Sequence, residues 1–71
     1  MTRDEHLAWC KKRALEYVDD WDVRSAICSM MSDLQKHPET KDQNPAIMAL
    51  GLLIATSRDE LEARRWIEGF R

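Results

Sequence analysis

Asn44-Pro45-Ala46-Ile47-Met48-Ala49-Leu50-Gly51-Leu52-Leu53-Ile54-Ala55 is the stretch on which the fold turns. The Asn44 side-chain oxygen can cap a helix, and Pro45 suits the first helical position, where its missing N–H costs nothing. The ten residues from Ala46 to Ala55 carry no polar side chain. A membrane-spanning helix needs about 20 such residues, so this segment is too short to be one. A helix that is apolar on every face has to be surrounded by other elements. The segment therefore predicts a packed set of helices.

The flanks agree. Upstream, Glu39-Thr40-Lys41-Asp42-Gln43-Asn44 is polar throughout and reads as the one substantial loop, set off by Pro38, which disfavours helix continuation at His37. Downstream, Ser57 and Glu60 have the spacing of a capping box, and Leu61, Ala63, Trp66, Ile67 and Phe70 give the following helix its apolar positions. Towards the start, Thr2 and Glu5 form another capping-box pattern. Leu7, Cys10, Ala14, Tyr17 and Val18 then recur at steps of three and four, predicting a helix over 3–18. Asp20 is the expected N-cap of a second helix whose stripe is Val23, Ala26, Ile27, Met30 and Leu34. The connection between these two helices is short enough to force them antiparallel. The expectation is one all-α domain over 1–71, made of four helices in two antiparallel hairpins, 3–37 and 45–70, with no strand.

A spacing recurs across the two hairpins. Ala14, Tyr17, Ala26 and Met30 are followed 37 positions later by Gly51, Ile54, Ala63 and Ile67. Cys10-x2-Arg13-Ala14-x2-Tyr17, Ala26-x3-Met30 and Pro38 resemble the tetratricopeptide pattern, and Ile47-x2-Leu50-Gly51-x2-Ile54 with Ala63-x3-Ile67 resembles it again. The resemblance implies a protein-binding scaffold in which the first helix of each hairpin lines one concave side. That would set Lys11, Leu15 and Val18 beside Met48, Leu52 and Ala55, with Lys11, Leu15, Val18, Met48 and Leu52 as partner-binding residues and Trp9 at the rim. The sequence departs from the pattern at Cys10, Arg13 and Trp21, where Trp, Leu and a Gly or Asn are usual. An ordinary four-helix arrangement, which also needs small residues where helices cross, is the alternative. A separate resemblance is carried by Glu5-His6-Leu7-Ala8-Trp9-Cys10-Lys11, by Ser32-Asp33-Leu34-Gln35-Lys36-His37-Pro38-Glu39-Thr40 and by Arg65-Trp66-Ile67-Glu68-Gly69-Phe70. These segments resemble a family of very short bacteriophage proteins, mainly from phages of actinobacteria. That resemblance implies a phage protein made in the bacterial host cytoplasm and brings no activity with it.

Composition narrows the function. Eleven Lys and Arg against thirteen Asp and Glu give a net charge of −2, too little for long-range steering towards nucleic acid or an anionic membrane. Two Cys and no apolar stretch behind a basic start predict neither a disulfide scaffold nor a secretory leader. His6 and Cys10 share a helix face, but Cys10 fits the buried stripe and His6 falls in an exposed first turn, so no metal is expected. Cys28 and His37 lie about 13 Å apart along a helix, too far for a nucleophile and its base. No Gly-rich phosphate loop is present. The sequence thus predicts a non-enzyme without cofactors, acting on itself or on a host or phage protein. The alternative is a nucleic-acid-associated regulator using Arg64, Arg65 and Lys11–Arg13, with Trp66 stacking on a base.

Overall fold

The computed structural model describes residues 2–71, so Met1 lies outside the described residues. It contains four helices, α1 (Arg3–Asp19), α2 (Val23–Leu34), α3 (Pro45–Ser57) and α4 (Glu60–Glu68), and no strand among the described residues.

Each helix starts at a side-chain cap. Thr2 Oγ1 accepts from the Glu5 N–H at 3.2 Å while Glu5 Oε1 accepts from the Thr2 N–H at 3.0 Å, closing the expected box. That backbone N–H, with the Thr2 hydroxyl, holds the Glu5 carboxyl below its ordinary range. At α3, Asn44 Oδ1 accepts from the Ala46 N–H at 2.8 Å, with Pro45 in the first turn as expected.

Two caps differ from the sequence expectation, each by two residues. Asp22, not Asp20, caps α2, accepting from the Ser25 N–H at 3.1 Å. Asp20 is taken up in ending α1, its N–H donating to the Glu16 and Tyr17 carbonyls. Between them, Trp21 adopts a left-handed φ of 63° and is 82% exposed. The turn departs from Gly or Asn in sequence yet keeps the backbone conformation those residues favour. Likewise, Ser57 does not open α4. It is the last residue of α3, donating to the Ile54 carbonyl, and Asp59 caps α4 through the Glu62 N–H at 3.1 Å. Asp59 and Glu62 repeat the same three-residue spacing with a cap of similar strength.

The loop between α2 and α3 is less solvated than its composition implies. Thr40 is fully buried, its hydroxyl donating to the Leu34 carbonyl at 2.7 Å, and the Gln43 side chain donates to the Thr40 carbonyl. The loop thereby terminates α2 by satisfying its last carbonyls.

The helices pack in a closed ring. α1 lies against α2, α2 against α3, α3 against α4 and α4 against α1, and α2 also meets α4 across the short diagonal. α1 and α3 share no contact among the described residues. Ring closure is polar at its rim. Arg64 reaches Asp19 at 2.6 Å, the Lys11 ammonium donates to the Glu68 and Phe70 carbonyls, and the Arg3 guanidinium donates to the Arg71 carbonyl. These ties run down α1 as they run up the chain past α4, so the two helices are antiparallel.

The core draws Leu7, Cys10, Ala14 and Val18 from α1, Val23, Ala26, Ile27, Met30 and Leu34 from α2, and Ala63, Trp66, Ile67 and Phe70 from α4 with the residues just after it. From α3 it draws one large side chain, Ile54. The small residues at the repeated positions, Ala14, Ala26, Gly51 and Ala63, are all buried. Gly51 is needed for a close approach: a Cβ there would sit 2.5 Å from Trp66 Cζ2 and 3.0 Å from the Met31 methyl. Tyr17 and Leu61, expected on buried stripes, are exposed instead at 38% and 57%.

Candidate partner-binding surface

The five residues expected to form one greasy surface are not brought together. Val18 is 1% exposed and belongs to the core, which corrects its assignment to an open face. Leu15 and Met48 are half-buried and pack against the core from different helices. Lys11 is turned to the carbonyls at and just beyond the end of α4. Of the five, Leu52 alone lies well into solvent, at 58%. The physical reason is ring closure: α4, not α3, is the neighbour of α1, so nothing sets Lys11 and Leu15 beside Met48. Trp9 is not at the rim of α3 either, since its ring packs against His6 and beneath the Arg13 guanidinium, 4.7 Å from the ring centre.

A different apolar surface is open. Gly51 and Ile54 are the only buried residues of α3, and they define its inward side. At about 100° per residue, Leu53 stands nearly opposite Gly51, with Ala46, Ala49 and Leu50 beside it. Leu50 is 51% exposed and Leu53 67%. Leu50 and Leu53 were missed in the sequence because an all-apolar helix has no polar side to mark its outside. The signal was Gly51, which identifies the inward side by its size.

Two open grooves flank this crest. Between α3 and α4, Ile47 and Leu50 face Trp66, Phe70 and Arg65 around about 370 Å³. That volume is at the low end of the roughly 300–1,000 Å³ of ligand clefts and has room for a few docked side chains. Its floor is firm: the Trp66 indole N–H donates to the Ile47 carbonyl at 3.0 Å, and the Phe70 ring meets Trp66 edge-on at 4.9 Å. On the other side, between α2 and α3, Leu52, Ala55 and Thr56 face Arg24, Cys28 and Arg58.

Apart from the exposed Lys12, the basic residues of the nucleic-acid alternative are drawn into ion pairs and carbonyl contacts. Arg64 pairs with Asp19 and with Glu60, Arg65 with Glu62, and Arg13 with Asp33. The hydrogen bond to Asp19 raises the already high pKa of Arg64 further.

At the far side of the molecule, α1 and α2 enclose a polar cluster. His6 is buried, not exposed as its first-turn position implied. Its Nε2 lies 2.7 Å from the Asp33 carbonyl, which can only accept, so Nε2 carries the proton. Cys10 Sγ lies 3.4 Å from the same nitrogen, and the His37 ring stacks on His6 at 5.1 Å. Burial, then the nearby Asp33 carboxylate, pushes the Cys10 thiol up to about 11, which leaves it a poor nucleophile at neutral pH. Asp33 itself is buried and is held by Lys36 at 3.0 Å, Arg13 at 3.4 Å and the Ser29 hydroxyl. Each polar group in this cluster has a protein partner, which makes it a lock between α1 and α2. Among the described residues, no set of three or more His, Cys, Asp or Glu side chains is arranged to hold a metal.

Comparison with protein-family models, curated proteins and solved structures returned no match to this chain. No helix among the described residues is long and apolar enough to cross a membrane.

Proposed function

We propose that this chain is a small non-enzymatic accessory protein, of phage type, that acts in a bacterial host cytoplasm by contact with another protein chain through the outer face of α3. Self-association and docking on a host or phage protein are the two forms such contact takes, and modulation of a host protein is the consequence we favour. The observation that carries this is the exposure of Leu50 and Leu53 side by side, with Leu52 exposed on the other flank, on a helix with no charged residue. Full burial of each would contribute about 1.5–3 kcal/mol, and each is roughly half wet. A small domain with a margin of about 5–15 kcal/mol forgoes a large fraction of it by leaving three such side chains in water. Contiguous apolar surface of this kind marks interaction sites on soluble proteins. The phage setting rests on the resemblance of the opening, 32–40 and closing segments.

Leu50→Glu with Leu53→Glu tests the proposal without touching the core. We expect the variant to fold as the wild type does, and to lose either its self-association in light scattering or the proteins captured by the wild type from host lysate. Unchanged mass together with unchanged captured proteins would remove α3 as the contact surface.

A further inference from the structure

We infer that the occupant of this face is an acidic amphipathic helix of another protein, laid along α3 with its apolar stripe on Leu50 and Leu53 and its carboxylates reaching arginines on both flanks. The inference rests on the proposed function and names the chemistry of the partner.

Charge is segregated around α3. The chain as a whole is acidic, at −2, and α3 carries no charged side chain. Yet the charged residues lining the two grooves beside it are Arg65 and Arg71 on the α4 side and Arg24 and Arg58 on the α2 side. Among the described residues no carboxylate side chain lines either groove. Arg24 and Arg58 make no ion pair among the described residues. The nearby Asp22 carboxyl, held low chiefly by its hydrogen bond with Ser25, serves as the α2 cap. Arg65 is paired with Glu62 at 3.3 Å across a single helical turn, and its side chain remains 67% exposed. Exposed surface pairs of this kind are weak and yield readily to a better-placed carboxylate. Arginine grips a carboxylate with two parallel hydrogen bonds, and an apolar crest with guanidinium flanks is complementary to an apolar stripe with carboxylate flanks.

A second copy of this chain fits less well. Crest-to-crest packing of two α3 helices would set arginine-lined grooves against each other whichever way the helices ran. The area is also short. A helix of 13 residues is about 20 Å long and 10–12 Å wide, so its outer half presents roughly 350 Å². Stable interfaces bury about 800 Å² per partner. The rest of the contact must come from the α4 wall with Arg65 and the α2 wall with Arg24, which a carboxylate-flanked helix can engage and a second α3, without charged side chains, cannot.

The test uses two synthetic helical peptides with the same leucines at i, i+3, i+4 and i+7, one flanked by Glu and the other by Lys, titrated into the full chain by fluorescence anisotropy. The Glu-flanked peptide should bind about tenfold or more tightly at low salt, and the preference should fade near 0.5 M salt, where screening acts within a few Å. Replacing three of the four groove arginines, as Arg24→Glu, Arg58→Glu and Arg65→Glu together, should reverse the preference. Equal affinity for both peptides, lost in Leu53→Glu, would overturn the charge inference while the contact surface stood. Failure of both peptides together with a concentration-dependent dimer that Leu53→Glu breaks would also overturn it, in favour of a second copy. If neither peptide bound and Leu53→Glu changed neither mass nor captured proteins, the inference and the proposed function would fall together.

Discussion

α1 and α3 stand at the two ends of the long diagonal of the same ring, each packed against α2 and α4, and each sends one side inward and one side to water. The outward side of α1 carries Glu5, Lys12, Glu16 and Asp19, all exposed. The outward side of α3 carries Ala46, Ala49, Leu50 and Leu53, also exposed. Topology is the same at both corners, so the ring does not require an apolar exterior at either. The inward sides differ in the opposite sense: α1 buries His6, Leu7, Cys10, Ala14 and Val18, whereas α3 buries Gly51 and Ile54. The helix with the most apolar sequence is thus the least buried of the four. Hydrophobic content sets how strongly a segment seeks cover, and the number of neighbours sets how much it receives.

The largest expected effect comes from the one large side chain with which α3 holds its place. Ile54→Ala should lower the unfolding free energy by about 2–4 kcal/mol in urea denaturation. A loss below about 0.5 kcal/mol would mean that α3 is not seated on the ring, and the comparison would break.

The inner side of α1 offers a pH-dependent counterpart. The Cys10 thiol is raised from an ordinary 9.0 to about 11 in the fold, so the unfolded chain ionises first. Its contribution is therefore fully present below pH 9 and is lost as pH rises through about 11. Cys10→Ala should be less stable than wild type at neutral pH, and the gap should narrow over that alkaline window. At neutral pH a maleimide should label the exposed Cys28 and leave Cys10 until the chain unfolds. Rapid labelling of both would place α1's inner side in water.

A smaller effect, of the opposite sign, belongs to the turn that ends α1. Trp21→Gly relieves a left-handed backbone at a side chain that is 82% exposed, so little packing is lost. Part of the gain is returned through the freer unfolded chain, leaving about 0.5–1 kcal/mol of stabilisation in thermal unfolding. Destabilisation by that change would show that the Trp21 ring packs on something.

Much of this architecture was legible where it depended on neighbours in sequence. The Thr2–Glu5 box, the Asn44-Pro45 start, the small residues at 14, 26, 51 and 63, and the four helices all follow from local chemistry. The displaced caps show how local chemistry can be ambiguous: Asp20 and Asp22, or Ser57 and Asp59, are near-equal candidates two residues apart. The site was less legible because it depends on which helices meet. Whether α1 lies beside α3 or beside α4 is settled by Arg64 reaching Asp19 and by Lys11 reaching the carbonyls at and just beyond the end of α4, contacts 45 to 59 residues apart in the chain. Val18 and His6 are likewise buried by contacts between elements: His6 is covered by the Asp33 carbonyl of α2 and the His37 ring after it, and Val18 joins the common core. Leu52 was placed at the surface through the tetratricopeptide resemblance, whereas Leu50 and Leu53 would have followed from Gly51, which marks the inward side of α3.

The central claim is that the outer side of α3 is free of structural duty, unlike the inward apolar sides of α1, α2 and α4. Urea unfolding of the Leu50→Glu, Leu53→Glu double variant, at a concentration where the chain is monomeric, tests it most directly. The account predicts a midpoint and slope close to wild type, within about 1 kcal/mol in unfolding free energy, as for substitutions at exposed positions. A loss of about 3 kcal/mol or more would show that Leu50 and Leu53 are buried in the folded chain and would contradict it.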